Sequence, residues 1–428
     1  METSNAVEQA LKVDTLAPRA VDGIEGTGLD FGFLADLTLK TVYADTDCST
    51  ERTANKLKLP MSLVEPILQH LYREKMIEIR GLAGFENHRY ALLDRGWDRV
   101  QRLLEMNGYI GPAPVSLSAY TEMVRKQQEA SDPVSPETVS AALGGLVLPE
   151  ATVQTLGVVA NSRRSVMVTG PSGTGKTTIA KALHTALGGA IWIPYAIEVD
   201  GQIIKVFDSH NHEPVDPQPT RRHDQRWIRI KRPLVIVGGE LTIETTDLIY
   251  SDSVRYYDAP FQMKSNCGTL VIDDFGRQRV APRDLLNRWI IPLEGRVDYL
   301  TLHTGKKIEV PFEQLLVIAT NLDPKDLVDD AFLRRMGYRL RINLPTKESY
   351  AKIFRRYLEY RKLPFKQELL DTVFELYEQT GTKLRSCEPR DLIERCLDIC
   401  RYESRAFDLN PELIRLAWAN YFGIENGQ

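Results

Sequence analysis

The chain has 428 residues, 43% hydrophobic and 26% charged, the proportions of an ordinary globular protein with room for about two or three domains. Its 54 Lys and Arg stand against 58 Asp and Glu, a net charge of −4, so no excess of positive charge advertises nucleic acid or an anionic membrane. No apolar run approaches the ~18–20 residues of a membrane span, Met1–Glu8 has neither a basic nor an apolar leader region, and five cysteines in a chain this long fit reduced thiols in a cytoplasm.

Residues 1–26 are polar and turn-rich and read as a loose leader. In residues 27–110 the spacing predicts helices over Phe31–Tyr43, Ser49–Leu57 and Met61–Lys75, a β-hairpin from Met76–Arg80 and His88–Leu93, and a helix over Arg95–Met106. Three helices followed by a hairpin wing resemble a winged helix-turn-helix domain, an α+β unit whose third helix often enters the DNA major groove. Here the third helix is mostly apolar, carries Glu65, and sits in a stretch where acids and bases roughly balance. That balance favours a protein-docking or assembly role over sequence-specific DNA binding, with DNA kept as the alternative. Residues 111–148 read as a connector, in which Gly111-Pro-Ala-Pro and Ser131–Glu137 flank a short amphipathic helix, Leu117–Gln128. The prolines predict a semi-rigid spacer.

A helix from about Pro149 to Asn161 leads to Ser165–Thr169, an apolar strand, and then to Gly170, Pro171, Ser172, Gly173, Thr174, Gly175, Lys176, Thr177 and Thr178, followed by a helix to Leu187. Strand, glycine-rich turn and helix in that order make G-x-x-x-x-G-K-[ST] a phosphate site, because consecutive backbone N–H groups and the helix N-terminus face one anion. Lys176 is then expected at the β- and γ-phosphates of a nucleoside triphosphate, and the Thr177 hydroxyl at Mg2+. A long segment, about 190–262, precedes the next apolar strand, Thr269–Ile272. It reads as β-rich: Ala196–Phe207 alternates about the turn Asp200-Gly201, and Trp227–Ile230 and Pro233–Val237 are further strands. Asp208–Pro214 and Arg221–His223 contain histidines without metal-ligand spacing and read as a polar surface loop. Cys396 and Cys400, at i and i+4, read as buried core thiols in preference to a metal pair.

Polar residues end the apolar strands, as in an open parallel sheet with a site at its carboxyl edge. Asp273 can hold Mg2+ and Asp274 can orient an attacking water, while Thr320 and Asn321 follow Leu315–Ala319 and can hydrogen-bond the γ-phosphate or that water. Together these residues resemble the AAA+ ATPase superfamily over about residues 140–425. Gly170–Thr177 match its Walker A, Leu270–Asp274 its Walker B and Asn321 its sensor 1. Asp329-Asp-Ala-Phe-Leu-Arg-Arg335 resembles the box that presents arginine fingers, here Arg334 and Arg335, to the next subunit in Clp-type unfoldases. Glu388-Pro-Arg-Asp-Leu392 resembles sensor 2, with Arg390 as the nucleotide contact. A hairpin of Val297–Leu302 with Lys307–Val310 is similar to the pre-sensor-1 hairpin of MoxR-like members.

The resemblance implies an α/β core at 149–345, a P-loop parallel sheet with the β-rich insertion at about 190–262, and a C-terminal helical lid at 346–428. The lid's helices show helical spacing at Lys347–Tyr360, Lys366–Thr380, Glu388–Glu403 and Pro411–Tyr421. It also implies ATP and ADP as ligands, Mg2+, hydrolysis to ADP and phosphate, and a homo-oligomeric ring, most often a hexamer, with a chaperone-like action on a protein substrate or adaptor. Two features depart from the family. Walker B reads Asp-Asp in place of Asp-Glu, so the base is one methylene short; Asp274 is the expected base and Glu240, in Gly238-Gly-Glu240, the reserve. The second departure is the long insertion, whose Tyr256-Tyr257 reads as packed aromatics before a pore contact. Two other readings stay open: a DNA-associated regulator switched by ATP, and an ATP-gated scaffold with weak turnover.

Overall fold

The computed structural model describes residues 16–46, 48–84, 87–215, 223–327 and 330–423. The chain divides into two compact units, one of residues 1–132, 187–270 and 279–315, the other of residues 133–186, 271–278 and 316–428.

In the first unit, Asp30 accepts hydrogen bonds from the N–H groups of Gly32 and Phe33 and so starts the helix Phe31–Tyr43. Ser49 does the same for Thr50–Leu57 through Arg52 N–H. With Met61–Arg73 and Asp94–Met106 these helices bury Leu34, Leu37, Leu57, Val64, Ile67 and Val100 in one core. The strands Ile77–Gly84 and Asn87–Leu92 pair antiparallel, Ile77 opposite Leu92 and Ile79 opposite Tyr90, as the alternation predicts. The leader is less loose than its composition suggests: Val21 belongs to this core and Pro18 O accepts from Asp224 N–H at 3.0 Å. Residues 1–15 lie outside the described residues.

The insertion builds a second sheet with strands in the order Ile249–Ser251, Tyr256–Asp258, Gln202–Lys205, Ala196–Val199 and Val115–Ser116. Asp200 and Gly201, at φ of 50° and 76°, make the turn between the middle pair. The last strand comes from the expected connector, pairing Val115 with Ile197 in parallel. The helix that follows, Leu117–Glu129, is held by its Gln127 amide, which donates to Trp192 O (3.0 Å) and accepts from Trp192 N–H (2.6 Å). The first part of the connector is therefore packed structure and not a spacer, because its apolar side chains Ala113, Val115 and Tyr120 are buried. Ser135 caps a further helix, Pro136–Leu143, which the prolines masked in the sequence.

The histidine-bearing loop is also corrected. His212 is 2% exposed; its Nδ1 accepts from Asp208 N–H at 3.0 Å while Nε2 lies 2.8 Å from Lys264 O, so one neutral tautomer satisfies both. Burial holds this imidazole below its ordinary pKa. Lys264 is buried and bridges Asp208 (3.0 Å) and the partly exposed Asp258 (2.8 Å), so His212 and Lys264 are interior framework. Arg221 and Arg222 lie outside the described residues. Among the described residues no group of three or more His, Cys, Asp or Glu could hold a metal ion. Tyr257 is 1% exposed and its hydroxyl accepts from His303 N–H at 2.8 Å, which places it in packing and not in a pore.

The strands Tyr338–Arg341, Val166–Thr169, Leu315–Thr320 and Thr269–Ile272 are neighbours in that order, and the first and third both run parallel to Val166–Thr169; residues 338–341, 166–169, 316–320 and 271–272 of them belong to the second unit. All four residues of Thr269–Ile272 and all six of Leu315–Thr320 are buried, as expected of strands covered on both faces. The helices Lys347–Tyr360, Gln367–Thr380, Glu388–Tyr402 and Pro411–Phe422 pack around Tyr350, Phe354, Val373, Ile393 and Trp418. Cys396 and Cys400 lie in that core, and burial pushes the Cys396 thiol up to about 12. Among the described residues no helix is long and apolar enough to cross a membrane.

Candidate nucleotide site

Three strand ends of the second unit meet at one edge. Gly170 leaves the strand Val166–Thr169 with φ 149°, and a methyl group there would come within 2.1 Å of Ile342 O, so only glycine lets the chain turn under the neighbouring strand. Its N–H donates to Thr320 O at 3.2 Å. Thr174 Oγ1 closes the loop on Pro171 O at 2.9 Å, and the helix Lys176–Leu187 starts directly behind it. Ser172 and Thr178 are exposed, while Thr174 and Lys176 are buried. The Lys176 ammonium donates to Gly170 O (2.9 Å) and Pro171 O (3.0 Å), arching over the concave side of its own loop. Burial lowers its pKa, opposed by the charges of Asp274 and Asp273.

Thr177 Oγ1 donates to Asp273 Oδ2 at 2.7 Å, joining the glycine loop to the end of Thr269–Ile272. The other oxygen, Asp273 Oδ1, accepts from Asp274 N–H at 3.0 Å. Asp274 is exposed and takes a left-handed φ of 49°, a conformation that costs a non-glycine residue ~1 kcal/mol or more. Gln278 props this turn, donating to Asp273 O and accepting from Gly276 N–H, both at 2.8 Å. Sequence reading missed Gln278, since no motif spacing marks it.

Asn321 follows the next strand, and its Oδ1 is buried with no hydrogen-bond partner among the described residues. A buried carbonyl oxygen left so is costly unless a ligand or water completes it. Thr320 is corrected: its hydroxyl donates to Phe275 O at 2.6 Å and accepts from Leu322 N–H at 3.2 Å, so it braces the sheet and does not face a phosphate. Arg334 is exposed at the end of the helix Asp330–Arg335, Arg335 is half-buried and not free of partners, and Asp329 lies outside the described residues. Arg390 is 62% exposed in its side chain and its Nε lies 2.9 Å from Asp391 Oδ1, which raises its pKa. Glu240 belongs to the other unit, where its Oε1 accepts from Gly238 N–H at 3.0 Å and this bond lowers its pKa.

The donors at the loop suit a hard divalent cation: a hydroxyl and a carboxylate oxygen already 2.7 Å apart, with Asp273 anchored by its own backbone. Mg2+ characteristically takes only one or two protein oxygens beside phosphate and water, so the small donor set fits it.

Residues 148–190, which contain this loop, match the model of the Sigma-54 interaction domain, an AAA+ family. This stretch is similar to an AAA+ nucleotide-binding segment. Residues 346–420 match a second model, described as a Domain of unknown function (DUF8689). No curated protein matches the chain in sequence. Similar solved structures include NtrX from Brucella abortus in complex with ADP, at 14% identity, 68% of this chain, 59% of that chain and a TM-score of 0.39. They also include NtrX in complex with ATP, at 15% identity, 61% of this chain, 51% of that chain and a TM-score of 0.39. The Thermotoga maritima RuvB Holliday junction branch migration motor follows at 15% identity, 72% of both chains and a TM-score of 0.34. The chain thus spans between 51% and 59% of these two NtrX structures, and likenesses this distant add nothing to the assignment.

Proposed function

We propose that the chain is an Mg2+-dependent ATPase that acts as a homo-oligomeric ring, hexameric in the commonest family geometry, and remodels or assembles a protein partner. The observation that carries the reading is the 2.7 Å bond from Thr177 Oγ1 to Asp273 Oδ2, which joins a hydroxyl and a carboxylate of two separate motifs, the pair this reading assigns to Mg2+. Bound Mg2+ would supply charge neutralisation between the β- and γ-phosphate oxygens. The chain's residues do the rest. The N–H groups from Gly173 to Thr178 cradle the phosphates, and Lys176 exchanges two carbonyl acceptors for phosphate oxygens. Asp274 orients the attacking water and takes its proton, and the unpartnered Asn321 Oδ1 holds that water in line. Arg334 is assigned to the next protomer's site and Arg335 to the support of that helix, while Arg390 leaves Asp391 to meet the nucleotide from the lid.

The helices and hairpin of residues 27–110 serve in this reading as a winged-helix docking module for protein. Five free cysteines support a cytoplasmic location. The assignment is tested by ATP turnover in Asp274→Asn, which should bind ATP while losing at least ~100-fold in kcat. Wild-type turnover in that variant would transfer the role of base elsewhere, Glu240 first.

A further inference from the structure

The lid segment before the helix Glu388–Tyr402 reaches the phosphate loop at a point no motif marks. Cys387 N–H donates to Gly173 O at 3.1 Å. Gly173 has φ 77°, and a methyl group on it would lie 2.7 Å from Cys387 Sγ and 3.4 Å from Arg385 Cδ. The loop and the segment therefore touch through backbone, with the aliphatic stem of Arg385 laid across Gly173. The Arg385 main chain is pinned as well: its N–H donates to Glu388 Oε2 at 3.0 Å, and the same buried carboxylate accepts from the Tyr377 hydroxyl. Its guanidinium, in contrast, is exposed and has no hydrogen-bond partner among the described residues. Arg390 is occupied by Asp391.

The geometry points to Arg385 as a second phosphate-sensing residue of the lid, one that contacts the outermost phosphate of a bound nucleoside triphosphate. The inference rests on the nucleotide reading above. The loop's N–H groups wrap the inner phosphates, which leaves the terminal phosphate as the group open to a cation arriving over Gly173. A planar guanidinium with five donors suits that group better than an ammonium would. Because the main chain of Arg385 is fixed by Glu388 while its guanidinium makes no hydrogen bond among the described residues, its side chain is pre-placed at small structural cost. It also ties the lid's position to the presence of the γ-phosphate, since loss of that phosphate removes the hydrogen-bond acceptor the guanidinium would gain there.

The test is calorimetric titration of the full chain with Mg·ATPγS and Mg·ADP, in wild type, Arg385→Ala, Arg385→Lys, Arg390→Ala and Lys176→Ala. Arg385→Ala should weaken ATPγS about tenfold and ADP less than about threefold, with Arg385→Lys between, the loss expected of one charge-assisted contact. Its unliganded melting temperature should stay within about 2 °C of wild type, since the bond from Arg385 N–H to Glu388 is kept and only exposed side-chain atoms are removed. Unchanged ATPγS affinity in Arg385→Ala, in a protein whose Lys176→Ala variant has lost binding, overturns the assignment alone. A lowered unliganded melting temperature with equal losses for ATPγS and ADP also overturns it, in favour of a purely structural loop. If wild type binds neither nucleotide, the nucleotide reading falls and this one with it.

Discussion

Lys176 illustrates how much of the site one residue carries. Its ammonium rests on two carbonyls of its own loop in a buried position that lowers its pKa, and in the proposed function it trades those acceptors for phosphate. Lys176→Ala should therefore reduce nucleotide affinity by at least ~100-fold, read by titration with ATP, because a charged contact to phosphate is lost with no substitute. Asp274 is the residue where the family pattern and this chain part. Restoring the missing methylene by Asp274→Glu should leave turnover within about tenfold of wild type or raise it, whereas Asp274→Asn removes the proposed base; kcat measured for both separates reach from charge. Lys40 offers a check of a different kind. It is buried in the first unit, donates to Asn107 O at 3.0 Å, and desolvation lowers its pKa to about 8. The folded state thus prefers the neutral amine, the unfolded state binds more protons between about pH 8 and 10.5, and this group's contribution to stability rises with pH across that window. Lys40→Met should flatten that rise by roughly 1–3 kcal/mol, read from denaturation midpoints at the two ends.

At the scale of elements, local signals were reliable where the chain answers to its neighbours in sequence. The Asp200-Gly201 turn, the Ser49 cap and the alternating pairs of the Val297–Thr301 and Lys307–Pro311 hairpin were legible because φ preference, capping and burial parity act over a few residues. Illegible were the polar groups that become interior framework through distant partners. Asp298, fully buried, receives Arg288 Nη2 at 3.1 Å and Gln262 Nε2 at 3.0 Å, and burial still raises its carboxyl above the ordinary value. Nothing near Asp298 in sequence announces that pair. Arg288→Met should cost ~3–5 kcal/mol by stranding the buried carboxylate, while the double change Arg288→Met with Asp298→Leu should recover most of it, as chemical denaturation of both variants will show. Thr320 teaches the same lesson inside the site: its position at a strand end is readable, but its hydroxyl is spent on Phe275 O, a bond visible only once the sheet is assembled.

For the whole molecule, the order of motifs along the chain was legible and the grouping of segments was not. The second unit collects residues 133–186, 271–278 and 316–428, so the chain leaves it and returns twice, a pattern set by long-range packing and invisible to composition. Arg334, exposed at the end of its helix, bears on assembly. Mixing inactive Arg334→Ala chains with inactive Lys176→Ala chains should restore part of the ATP turnover if the arginine acts on a neighbour, since a mixed interface pairs an intact loop with an intact finger; no recovery at any ratio argues for action within one chain. Binding of the full chain to duplex DNA should be weak and show a shallow salt dependence, in keeping with the net charge of −4, and a steep slope would favour the DNA-associated reading. The central claim is that the Lys176, Thr177 and Asp273 cluster hydrolyses ATP. Phosphate release from ATP with and without Mg2+, by wild type beside Lys176→Ala, tests it most directly. The account predicts Mg2+-dependent release that the substitution abolishes; equal release from both proteins would contradict it.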